Sequence, residues 1–158
     1  GLQFHSWVMD IIVDLQGFKS TYNNFICKEL AVASICGSVL DHFIFATPPS
    51  LRNFSKENAW ITANLHSLRW TDGDVPLNKI REVLDRLISE NTTVYVKGLE
   101  KKRWIRQYCP QDTHIEDLHQ LPSLRSENYG PQPSCTLQHS HCALTNVLKL
   151  KAHLTSKQ

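Results

Sequence analysis

A chain of 158 residues, 41% hydrophobic and 20% charged, is sized and composed for one globular domain with a single substantial core. No apolar run approaches the roughly 20 residues of a membrane span, so no membrane partner is expected. A net charge of +2 is too small to argue for a nucleic-acid partner by itself.

Residues 7–16 read as a strand, rich in β-branched side chains and ended by Gly17. Asn23-Asn24 makes a turn into a second strand over 25–34, and the short link predicts an antiparallel hairpin. Gly37 turns the chain into a third strand over 38–46, stopped by Pro48-Pro49. The period then changes. Pro76 starts a helix in which Ile80, Val83, Leu84, Leu87 and Ile88 recur at helical spacing through residue 89. A short strand follows over 92–96, and Gly98 opens a basic helix to about Tyr108. Residues 113–115 form a fifth strand leading into a helical turn, where Asp117 is a helix N-cap or an isolated acid. A loop rich in Pro, Ser, Gly and Asn covers 122–135, and a helix over 141–154 closes the chain. With neither repeat nor linker, residues 1–158 make one domain. The order β-β-β-α-β-α-β-α predicts an α/β fold, a mixed sheet of about five strands flanked by helices.

The opening Gly1-Leu2-Gln3-Phe4-His5 lacks the basic start and apolar stretch of a signal peptide. Five cysteines, an odd number, then favour free or metal-bound thiols in a reducing compartment, the cytoplasm or nucleus. Cys135-x₃-His139-x₂-Cys142 offers zinc two thiolates and an imidazole within a short loop-to-helix segment. A closed site needs a fourth ligand. On the second strand, alternation places Phe25, Cys27, Glu29, Ala31 and Ala33 on one face, where a buried carboxylate is costly unless paired or metal-bound. Glu29 is the first candidate and Cys27 the substitute; His141 is close in sequence but points away on the helix. The plainer alternative leaves Glu29 facing solvent and Cys142 an ordinary core cysteine.

The helix after Gly98 carries Lys101, Lys102, Arg103 and Arg106, preceded by Lys97, against one acid, Glu100. Trp104, Ile105 and Tyr108 form its inward stripe and leave Lys102, Arg103 and Arg106 outward. These cations could hold phosphates, or they could be a solvated face. Trp60 and Trp70, with His66 between them, could stack bases or simply pack.

Several strings carry a resemblance. Val13-Asp14-Leu15-Gln16, Val94-Tyr95-Val96-Lys97-Gly98 and His141-Cys142-Ala143-Leu144-Thr145-Asn146 resemble the motifs of DEDDh exonucleases, and the order of elements is RNase H-like. The resemblance implies a two-metal site of four carboxylates, but here only Asp14 remains. Gln16 and Asn146 are amides, and Lys101, Lys102 and Arg103 stand where the second-motif Asp is expected. Neutral amides and cations cannot hold two divalent ions. A closer resemblance is to the Maelstrom domain, a member of the same fold linked to RNA silencing of transposons. It implies a zinc set of Glu29, Cys135, His139 and Cys142, with single-stranded RNA and proteins of an RNA-silencing assembly as partners. It also places the basic helix beside the old nuclease cleft. Two other functions stay open: metal-independent cleavage of single-stranded RNA, with His141 and Lys102 the first residues to test, and a protein-interaction scaffold.

Overall fold

The computed structural model describes residues 9–19, 24–51, 53, 55–121, 139 and 141–156. Strands β1 (Ile11–Lys19), β2 (Phe25–Ser34) and β3 (Leu40–Ala46) form an antiparallel meander. Helix α1 (Ser55–Ile61) runs on into a π-helical turn over Thr62–His66. A two-residue strand β4 (Val75–Pro76) and a 3₁₀ turn then lead into α2 (Ile80–Leu87). Strand β5 (Thr93–Val96), helix α3 (Leu99–Arg106), strand β6 (His114–Asp117) and helix α4 (Ala143–Thr155) follow. The sheet order is β4-β3-β2-β1-β5-β6, with β5 parallel to β1 and β6 parallel to β5. This α/β mixed sheet of six strands is compatible with an RNase H-like fold.

Both faces of the sheet are covered, which is why β1 and β2 are nearly continuous apolar runs. On one face Val13, Leu15, Leu30 and Val32 pack under Ile80, Val83 and Leu84 of α2 and Ile105 of α3. On the other, Ile12, Ala31 and Ala33 lie under Ala143, Leu144, Val147 and Leu150 of α4. The small Ala31 and Ala33 let α4 come close to the sheet, and its first turn therefore sits directly over the side chains of β1 and β2.

One irregularity redirects the faces. β1 runs through Gly17 instead of ending there, because Gly17 belongs to a β-bulge: Gln16 pairs with Glu29, but Gly17 pairs with Cys27. The extra residue is Lys28, whose fully buried ammonium donates to the Trp70 carbonyl (2.7 Å) and the Thr47 hydroxyl (3.1 Å). Burial lowers its pKa to about 8. The bulge turns Cys27 into the α2–α3 core, away from the face of Glu29. Simple alternation had put the two together, so Cys27 is not a substitute ligand. A Cβ on Gly17 would collide with the Ile26 carbonyl, so only glycine fits there.

Two elements join those read from the sequence, and one further expectation needs correction. The sheet has a sixth strand, since Val75–Pro76 adds to the edge of β3, a place where proline is tolerated. The α1 segment gave no helical apolar stripe; it is held by the buried Asn58, whose amide bonds the backbone of Lys19 in both directions (2.9 and 3.0 Å). Asp117 neither caps a helix nor stands alone. Ending β6, it accepts the Gly98 N–H at 2.8 Å and so fixes the turn into α3.

Candidate metal centre and adjoining cleft

Glu29, His42, His139 and Cys142 present ligand atoms that all lie within 4.8 Å of one another, and the group could hold a metal ion. Pairing across the meander assembles it. Ala31 of β2 sits opposite His42 of β3, so His42 shares the α4-covered face with Glu29, one pair further along. Cys142 occupies the N-cap position of α4, with its thiol turned to the cluster instead of capping the helix.

Glu29 is completely buried, and its two oxygens divide the work. Oε1 accepts the Ala143 N–H of the first turn of α4 (2.9 Å) and the Gln16 amide (3.0 Å). Oε2 faces His42 Nε2 (2.6 Å), His139 Nε2 (2.5 Å) and Cys142 Sγ (3.5 Å). His139 Nδ1 lies 2.9 Å from the His66 carbonyl, which can only accept, so Nδ1 carries a proton. Nε2 is thereby turned toward the cluster, the arrangement that orients metal-ligating histidines. A neutral imidazole lone pair cannot face a carboxylate oxygen at this distance without a proton or a cation between them.

The ionisations agree. Burial pushes the Glu29 carboxyl up, but hydrogen bonds from His139 and His42 outweigh it and hold it at about 2. Burial likewise raises the Cys142 thiol, and the same two imidazoles bring it down to about 6. Against the pull of burial, Cys142 and Glu29 raise His42 to about 9 and His139 to about 11. Two anions thus demand positive charge at one point, which protons supply in part and a divalent ion would supply fully. Bonds of about 2.0–2.3 Å to a tetrahedral ion put donor atoms roughly 3.3–3.8 Å apart, within reach of this set by small side-chain shifts.

Of the residues expected from the sequence, Glu29, His139 and Cys142 are together, and Cys135 lies outside the described residues. Glu29 does not face solvent. His42 was missed, although strand alternation and antiparallel pairing put it on the Glu29 face.

Beside the cluster, a cleft of about 440 Å³ opens between α1 and α3. At its edge Asp14, fully buried, is ion-paired through Oδ1 with Lys101, and its Oδ2 accepts from Asn146 (2.8 Å). The Gln16 amide also donates to the His141 carbonyl, as does Asn146 at 3.3 Å. His141 holds that carbonyl in place through a left-handed backbone, φ 50°. Lys19, Lys97, Lys101 and His141 line the cleft, with Glu100 as the acid among its lining residues.

The basic residues fall into two groups. Lys97 and Lys101 belong to the cleft, and Lys97 is anchored on the carbonyls of Leu121 (2.7 Å) and Leu118 (3.3 Å). Lys102 is half-buried, while Arg103 is exposed on the outer side of α3. Arg106 bonds the Thr113 carbonyl at 2.7 Å and so ties α3 to β6. Lys101 stands at Asp14, and Lys102 is not among the residues lining the cleft. Of the aromatic candidates, Trp70 is half-buried against Phe18. His66 is buried, its Nε2–H on the Gly17 carbonyl and its Nδ1 accepting from Leu68 N–H. Trp60 is exposed. In comparison with known proteins, no family model, no curated protein and no solved structure matches the chain.

Proposed function

We propose that the chain is a Maelstrom-like, RNA-associated domain: a nuclease-like fold that has lost its catalytic cations and keeps a structural zinc site of Glu29, His42, His139 and Cys142. The observation that carries this reading is the Lys101 ammonium on the buried Asp14 carboxylate, at the cleft edge where a two-metal nuclease needs a divalent cation. The same substitution leaves a cationic cleft suited to phosphates. Zinc suits the cluster because two imidazoles, a thiolate and a carboxylate are donors it accepts. Their two negative charges match a divalent ion. The partners that follow are single-stranded RNA and proteins of an RNA-silencing assembly, in the cytoplasm or nucleus.

The test is a titration of labelled single-stranded RNA over a range of salt concentrations. Lys19→Gln removes an exposed cation of the cleft and spares Lys97 and Lys101, whose bonds support the fold. The lost single-strand contact should flatten the plot of log affinity against log salt by about 0.7. Absence of wild-type binding at low salt would leave the domain as an interaction scaffold.

A second reading has one observation in its favour: His141 and Lys101 line the same cleft, an imidazole and an ammonium that one phosphate could meet. RNA cleavage that persists in excess chelator and disappears in His141→Ala would establish a metal-independent nuclease.

A further inference from the structure

We infer that the Trp60 indole is a stacking platform for an unpaired base of a single strand whose phosphates lie in the adjoining cleft. This rests on the RNA-associated reading above and assigns it a subsite. Trp60 is 58% exposed, unusual for the largest apolar side chain. Its position explains why that exposure matters. Ile61 and Leu65, one turn apart, line the cleft from the α1 side. Trp60 precedes Ile61 in α1, the helix that forms this wall, and projects about 100° around it from Ile61, open to solvent. The segment is pinned from both ends. Asn58 is clamped to the backbone of Lys19, and His66 to the Gly17 carbonyl. The ring is therefore presented by a fixed wall.

The opposite wall repeats the pattern. Leu99 is 54% exposed and immediately precedes Glu100 and Lys101, both of which line the cleft. Between α1 and α3, which carry these two exposed apolar side chains, lie Lys19, Lys97 and Lys101 against Glu100. A ligand matching this surface carries repeated anions and flat apolar faces at once. A single-stranded nucleic acid does so, because each phosphate is followed by a base with a π-face. An acidic peptide matches the cations but leaves the indole without a partner.

The experiment compares a short oligoriboadenylate with an abasic ribose-phosphate strand of equal length and charge, and with oligoglutamate. The full chain is used as wild type, Trp60→Ala and Trp60→Phe, with thermal melts to show that folding is kept. Trp60→Ala should weaken oligoriboadenylate binding roughly ten-fold, the order expected for losing one base–aromatic stack, while Trp60→Phe retains most of it. Binding of the abasic strand and the salt slope should not change. Equal affinity of Trp60→Ala and wild type for oligoriboadenylate overturns the platform and leaves the RNA-associated reading standing. An equal loss on the abasic strand also overturns the platform. Wild-type binding of neither strand overturns both, and tighter binding of oligoglutamate gives the surface to a protein partner instead.

Discussion

Gln16 stands between two sites that cannot both be carboxylate-rich. Its amide donates to Glu29 Oε1 and to the His141 carbonyl, two acceptors that a carboxylate at position 16 could not serve. Gln16→Glu would set a second negative charge, half-buried, directly across the strand pair from the fully buried Glu29. A carboxylate at position 16 would therefore work against the charge balance of the candidate metal group around Glu29. The expected outcome is that wild type shows no magnesium- or manganese-dependent exonuclease activity. Gln16→Glu with Asn146→Asp stays inactive too, because Lys101 still neutralises Asp14. Gln16→Glu alone should destabilise by about 1 kcal/mol, the lower end of the range for a lost bond left with an unmet acceptor, read by denaturant unfolding. Processive degradation of single strands by wild type with manganese would refute this account of the cleft.

At the scale of elements, the bulge in the β1–β2 pair decides which side chains meet. It admits Lys28 as the extra residue and turns Cys27 away, and Glu29 is left facing α4. Gly17→Ala cannot be accommodated without moving the Ile26 carbonyl, so the bulge must open. The expected cost is about 2 kcal/mol or more, together with a loss of metal binding, because re-registering β2 carries Glu29 off the α4 face. A melt and a metal assay on this variant check both. An unchanged metal content in a destabilised variant would separate the bulge from the site. The bulge also marks the limit of what is legible in the sequence. The meander follows from β-branched and apolar runs bounded by turn residues, α2 from the helical spacing of its buried stripe, and α4 from its apolar composition. Glu29 and Cys142 stand out because one is charged and the other thiol-bearing among apolar neighbours. The bulge, α1 and the role of His42 depend on backbone approach and on pairing between distant segments. Asn58, for example, holds α1 through the backbone of Lys19, which nothing in the local sequence announces.

At the scale of the whole molecule, the candidate metal cluster joins the sheet to the helix layer that covers one of its faces. Glu29 and His42 come from the sheet, Cys142 from the start of α4, and His139 from the chain just before it. α4 is the layer that closes one face of the sheet, and its N-terminus bonds Glu29 directly through Ala143. In the absence of a cation the cluster must take up protons to balance Glu29 and Cys142, and a divalent ion would replace those protons. Metal binding would then be coupled to the docking of α4, and its binding free energy would become folding free energy. Elemental analysis of protein purified without chelator should find about one zinc per chain, as a closed four-ligand site requires. An ion at a thousand-fold excess over its dissociation constant adds about 4 kcal/mol. At roughly 2–4 °C per kcal/mol for a domain of this size, stripping the metal should lower Tm by roughly 8–16 °C. Glu29→Gln and Cys142→Ser should each lose the ion and melt near the stripped wild type, with no further drop on adding chelator. Hydrogen exchange should locate the loosening in α4 and β3 and leave the α2-covered core protected. Zinc-free protein from such a preparation, or a Tm that does not move when bound zinc is removed, would refute the structural metal site.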